Sequence, residues 1–314
     1  MSQSFLSYFN LDFSHLFVMF LIFAFTGWCC EEVYVSSLQK KLVKRGMLFG
    51  PVCPIYGFGG IIIYFCLYHW KDSYLVLFLA AFVLTSALEY FSSWLLEKLF
   101  HAKWWDYSKR PFNLNGRCCL LNSTLFGLLG IVEMHYLEPL VHKLIYIDVI
   151  QPYFEYIAIA LALILSVDIL FTVRRLVDFN STLVKFKEYG EQLKERYEGE
   201  SWFKAESLHS MIASIKERAK IEKGRFTESF MKRLEGFASR EKSVAHWLRK
   251  FPTMSSKDYA QALDHIRQSI KEYALEQKKL LKADAQIISK KIKNVKKVKT
   301  QDLEADNLEN KRKE

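Results

Sequence analysis

None of the six cysteines in this 314-residue chain falls after Cys119, and none takes the CxxC spacing of a zinc site. Cys29, Cys30, Cys53, Cys66, Cys118 and Cys119 read as small apolar side chains. Nothing here resembles an ATP-binding subunit: a GxxxxGK[ST] loop is missing as well. So are HExxH, GxSxG and any convincing nucleophile–base pair. No catalytic residue, metal or cofactor is therefore assigned. The formal charge of +10 comes without a recognisable binding module, so nucleic acid is not an expected partner. The first apolar run has no basic leader and no small-residue cleavage site, and it reads as a mature helix rather than a signal peptide. Glycine and proline are scarce, at 13 and 6, yet four glycines and two prolines crowd into Arg45–Gly59.

What is present falls into two unlike halves. Residues 1–172 carry 11 Lys and Arg against 12 Asp and Glu, in runs of Phe, Leu, Ile, Trp and Tyr too long for a soluble core. Residues 173–314 carry 33 against 22 and read as basic and helical. The expected organisation is a transmembrane helical domain over 1–172, a cytoplasmic helical, coiled-coil-like region over 173–299 and a disordered tail over 300–314.

A membrane helix needs about 20 mainly apolar residues. Five segments qualify: 13–33, 54–70, 74–97, 118–138 and 152–172. The second is short and Gly-rich, as a partly unwound start requires. Glycine and proline beside a basic residue are costly in hydrocarbon unless the backbone is buried in protein or lines a cavity. Orientation follows from Lys and Arg in the short loops. Lys40, Lys41, Lys44 and Arg45 lie in one loop, and Lys98, Lys103, Lys109, Arg110 and Arg117 in another. Arg174 and Arg175 follow the last span, and the remaining loops hold only Lys71 and Lys143. Five spans with the N-terminus outside and the C-terminus inside put every cluster on the cytoplasmic side. Trp70, Trp94, Trp104 and Trp105 fall near expected interfaces, where indoles anchor spans.

Acids inside spans are expensive and mark a bundle interior. Glu31, Glu32, Glu89, Glu133 and Asp168 qualify. At a rise of about 1.5 Å per residue, Glu89 lies about 22 Å into its span, so every acid except Glu133 reaches the cytoplasmic third. Arg45 and Arg117 arrive there at the starts of the outward spans. Two readings stay open: structural ion pairs that leave no charge buried alone, or a polar vestibule that binds an anion or relays protons. An echo favours the vestibule. An acid, a basic loop, an Arg beside a Gly and a Gly-spaced outward span occur twice, as a parallel repeat would place them.

Gly27-Trp28 with Glu31, Arg45-Gly46 through Gly50-Pro51, and Cys53-Pro54-Ile55-Tyr56-Gly57 open an ordered set of motifs. Leu88-Glu89-Tyr90, Glu97, Trp105-Asp106-Tyr107-Ser108, Asn113, Gly116-Arg117 and Leu120 continue it. Together they resemble the CmpB-like family of membrane proteins, labelled ABC-transporter permeases, over roughly residues 10–172. Lys44 and Cys118 depart from the family's usual Asn and Ile. The resemblance implies a permease-type membrane subunit and adds Tyr56, Asp106 and Asn113 to the candidate vestibule. The candidate binding residues are then Glu31, Arg45, Tyr56, Glu89, Asp106, Asn113 and Arg117.

In the tail, Ser255 and Asp258 suit an N-cap box. Leu263, Ile266, Ile270, Tyr273, Gln277 and Leu280 keep a coiled-coil-like spacing. The lysines of Lys290–Lys299 suit either a solvated face or contact with anionic lipid. Three function classes follow, ranked in this order. A multi-pass cell-membrane transport component comes first; with so few spans it needs an ATPase subunit or a homodimer to complete a path. A membrane-anchored scaffold using the tail is second. A lipid-headgroup enzyme, with Glu31 or Glu89 as general base, is third.

Overall fold

The computed structural model describes residues 12–40, 45–221 and 244–280. Within them the chain is an all-α polytopic membrane protein. The Lys290–Lys299 run and residues 300–314 lie outside the described residues.

Helices α1 (Phe13–Gln39) and α2 (Pro54–Leu67) pack against each other, as do α3 (Tyr74–Phe100) and α4 (Leu120–Val132). A π-helical turn, Glu133–Leu137, joins α4 to α5 (Glu138–Ile145). Proline explains it. Pro139 has no N–H for the His135 carbonyl, and the Glu138 N–H bonds back to Glu133 instead. Helix α6 (Phe154–Tyr197) runs unbroken through Arg174-Arg175 and Gly190, so the fifth span and the first tail helix are one rod. Helices α7 (Leu208–Ile221), α8 (244–250) and α9 (260–280) complete the described chain.

Among the described residues, four helical stretches are long and apolar enough to cross a bilayer: Phe13–Ser37, Tyr74–Phe100, Leu120–Ile145 and Gln151–Tyr197. The expected second span is different. Its helix has only 14 residues, about 21 Å of rise. The missing length is irregular chain that runs back along α1. The Arg45 N–H donates to Glu32 (3.2 Å), and the Cys53 N–H donates to the Ala24 carbonyl (3.1 Å). The segment thus climbs about 12 Å between those levels. Added to α2 it comes to roughly the 30 Å of hydrocarbon. Part of its polar backbone is satisfied by the protein: Asp168 of α6 accepts the N–H groups of Phe49 and Gly50 at 2.9 and 2.7 Å.

Two buried apolar clusters lie among the spans. Met19, Phe23, Tyr64, Val141, Ile145 and Phe154 form one, and Ile63, Leu67, Leu77, Ala81 and Met134 the other. Gly60 lets α2 approach closely; a Cβ there would meet the Phe23 ring at 2.5 Å and Glu133 Oε1 at 3.0 Å. Close helix contact through small residues is how apolar spans associate without a hydrophobic driving force.

Between α3 and α4 the chain forms a small hairpin, β1 (Asn113–Leu114) against β2 (Cys118–Cys119), antiparallel with Asn113 opposite Cys119. Asn115 and Gly116 turn it with φ of 53° and 71°. At φ of 71° Gly116 carries no steric penalty. Trp70 and Trp94 are exposed, as interfacial anchors should be. Trp104 is not: it is fully buried against Phe179, Trp247 and Phe251. Ser256, rather than Ser255, caps α9 by accepting the Tyr259 N–H at 3.1 Å. In the heptad-like seam Leu263 and Ile266 are buried, whereas Tyr273 and Leu280 are exposed.

Candidate functional site

A cavity of about 720 Å³ lies between the spans and is lined by Glu31, Arg45, Tyr56, Glu89, Tyr107 and Asn122 among others. The last turns of α1 deliver Glu31. The climbing segment delivers Arg45, whose Nε donates to Glu31 Oε2 at 3.2 Å. The Trp28 indole N–H holds the Arg45 carbonyl at 3.2 Å, which fixes where the guanidinium starts. Tyr56 stands 3.4 Å from the other Glu31 oxygen. On α3, Glu89 faces the hydrogen-bonding side chains of Tyr107 and Asn122. Burial and the nearby carboxyls of Glu89 and Glu31 push the Tyr107 phenol well up, so it stays a proton donor at neutral pH.

Four of the sequence's candidates, Glu31, Arg45, Tyr56 and Glu89, line this cavity. The other three do not. Asp106 accepts from the Ser108 N–H (3.0 Å) and the Ser255 hydroxyl (2.6 Å). Burial pushes its carboxyl up, but those bonds and the nearby Lys103 more than offset this and hold it below the ordinary carboxylate value. Asn113 braces the hairpin, accepting the Gly116 N–H at 2.9 Å and donating to the Arg110 carbonyl at 2.7 Å. Arg117 pairs with Glu97 at 2.5 Å and stacks on Tyr90, away from Glu89. Asp168 pins the climbing chain rather than joining the cluster. Glu133 and Glu89 line a second crevice of about 300 Å³. It shares Cys30, Ile55, Tyr56, Glu89 and Phe126 with the larger cavity.

Sequence reading missed the strap over the mouth. Helix α8 and residues 251–255 lie on the site, with Phe251 and Thr253 on the cavity wall. Arg45 Nη1 donates to the Lys250 carbonyl, and its guanidinium sits 5.6 Å from the Phe251 ring. Lys250 Nζ donates to the Gly46 carbonyl at 3.0 Å. Ser255 and Lys103 exchange both backbone bonds at 2.8 and 3.0 Å. The signal was slight: aromatic Trp247 and Phe251 beside Pro252, in a stretch otherwise read for charge.

Residues 18–173 match the family described as "Putative ABC-transporter type IV". This stretch of the chain belongs to that family. No curated protein and no solved structure matches. The match ends as α6 leaves the last span, so the strap lies outside it. Among the described residues, no group of His, Cys, Asp and Glu could hold a metal ion.

Proposed function

We propose that this chain is the permease-like membrane subunit of a transport system in the cell membrane, with a cytoplasm-facing vestibule around Glu31, Arg45, Tyr56 and Glu89. The observation that carries the reading is the cavity between the spans, which joins the Arg45–Glu31 pair to the buried Glu89. An irregular half-span beside a charged cavity is also the construction used by carriers that bind cargo near mid-membrane. The basic loops support a cytoplasmic side for that mouth and for the region after the last span. The chain carries no ATP-binding loop, so we assign energy supply to an ATPase subunit and completion of the path to that complex or to a homodimer.

Isolation in gentle detergent tests this. An ATPase that co-purifies, with solute flux after reconstitution, is the expected outcome. Neither an ATPase nor flux from the reconstituted chain contradicts the reading. A tail-based scaffold draws on the exposed Tyr273 and Leu280 of the seam. It predicts instead that deleting residues 264–314 abolishes the cellular phenotype while leaving flux intact.

A further inference from the structure

The crevice behind the vestibule carries acid without base. Glu89 and Glu133 are on its wall, and among the described residues no lysine, arginine or histidine is. Glu89 is only 4% exposed and its Oε2 has no hydrogen-bond partner; the buried Oε1 of Glu133 has none either. Arg45, the guanidinium of the adjoining vestibule, is already engaged by Glu31. A carboxylate held in apolar surroundings needs a positive partner or a proton. Two of them opening onto one crevice leave a place for one positive charge.

The rest of the wall selects what kind of cation. A hard inorganic ion demands a shell of several oxygen ligands. Here the threonine hydroxyls are turned to their own helices, Thr26 to the Ile22 carbonyl at 2.8 Å and Thr85 to the Ala81 carbonyl at 2.7 Å. The surroundings are aliphatic and aromatic: Ile55, Ile63 and Leu88, with Phe23, Phe126 and Tyr136. Such rings accept an organic cation on their faces. A volume of about 300 Å³ sits at the small end of the range for small-molecule sites, roughly 300–1,000 Å³. Position agrees as well. Glu133 Oε1 lies 3.0 Å from where a Gly60 Cβ would stand, and Leu88 lies 3.6 Å from the equivalent point on Gly59. Both acids therefore lie at one level, well inside the span of α3.

We propose that Glu89 and Glu133 form a binding site for a small organic ammonium ion with an apolar body, reached through the vestibule. The inference rests on the transport reading and names a cargo class for it. The ammonium N–H groups donate to the free oxygens of the two carboxylates, and the apolar body fills the aromatic crevice. The cation takes the place of one of the two protons that neutral carboxyls would hold; that proton leaves, and the other stays shared between the carboxyls, so the site remains neutral.

Equilibrium dialysis of radiolabelled phenethylammonium against the purified full-length chain in non-ionic detergent tests it without requiring turnover. Expected is saturable binding to one site, weakened about ten- to a hundredfold in both Glu89→Gln and Glu133→Gln, the loss of a charge-assisted hydrogen bond. Binding should also fall as pH is lowered, because protons compete for the same oxygens. Neutral 2-phenylethanol should not compete. Undiminished affinity in the double Gln variant overturns the proposal, as does equal competition by 2-phenylethanol. So does an absence of saturable binding at every pH, which would mean that the carboxyls take protons alone. If the Gln variants do not fold, the wild-type competition decides by itself. Binding without flux or ATPase sinks the transport reading and spares the site; flux without binding does the reverse.

Discussion

Arg45 ties three parts of the molecule to one guanidinium: Glu31 on α1, the Lys250 carbonyl of the strap and the Phe251 ring. Arg45→Ala removes all three and leaves Glu31 without its cation. Thermal unfolding in detergent should report a loss of about 2 kcal/mol, within the range for a charge-assisted bond to a partly buried group. Arg45→Lys should recover only part of it, because an ammonium cannot reproduce the fork. His246 gives the strap a pH dependence. Burial, then the charges of Lys250, Arg175 and Arg249, depress its pKa below the ordinary value. The docked strap therefore binds fewer protons than the released one, and docking strengthens as pH rises. It is complete above the ordinary imidazole value and weakens as pH falls below it toward the depressed one. Protease cleavage around residue 250 should increase over that window, and His246→Gln should flatten the response. At this scale the sequence was informative where residue type alone constrains chemistry. Glu31, Glu89 and Arg45 were legible because a charge inside an apolar run has few uses. The partner of Arg117 was not, because Glu97 and Glu89 sit on the same helix and only the fold decides which one faces the guanidinium.

The two halves of the bundle repeat one device. In each, a Trp indole holds the carbonyl of an arginine that opens an outward span: Trp28 to Arg45 at 3.2 Å, and Trp105 to Arg117 at 2.9 Å. Each arginine then pairs with an acid on the preceding inward helix, Glu31 or Glu97. The repeat was visible as an echo, but with Glu89 in the place that Glu97 fills. Freed from that pairing, Glu89 is available to the cavity. The second span was legible as partly unwound from its glycines and prolines; that its irregular portion climbs α1 was not, because backbone hydrogen bonds to Glu32 and Ala24 leave no mark in composition. Packing predictions belong here. Gly60→Ala puts a Cβ 2.5 Å from the Phe23 ring and should cost about 1–3 kcal/mol by overpacking, read as a lower unfolding temperature. Trp104→Ala empties the pocket between Phe179, Trp247 and Phe251. A core tryptophan truncation costs about 3–5 kcal/mol, so the strap should become protease-sensitive while the spans stay intact.

Through Leu263, the described chain is a helical bundle with a charged cavity whose wall includes Phe251 and Thr253 of the strap. The bundle was legible because bilayer thickness and the cost of bare backbone leave few alternatives, and the family through the resemblance carried by ordered motifs such as Arg45-Gly46 and Gly116-Arg117. The strap was not, since it is a contact between residues some 200 positions apart, Lys250 with Gly46, and short amphipathic segments do not announce their docking partner. Deleting residues 244–256 should therefore open the site without unfolding the membrane domain. Far-ultraviolet circular dichroism that keeps the signal of the spans, with faster reagent access to the cavity, would bear that out.

The central claim is that this cavity faces the cytoplasm and reaches Glu89. A variant with its native cysteines replaced and a single cysteine at Tyr107, treated with a membrane-impermeant thiol reagent, tests it most directly. Labelling in inside-out vesicles, accelerated by removal of the strap and absent in right-side-out vesicles, is the predicted result. Labelling from the outside alone, or none from either side after the strap is removed, would contradict it.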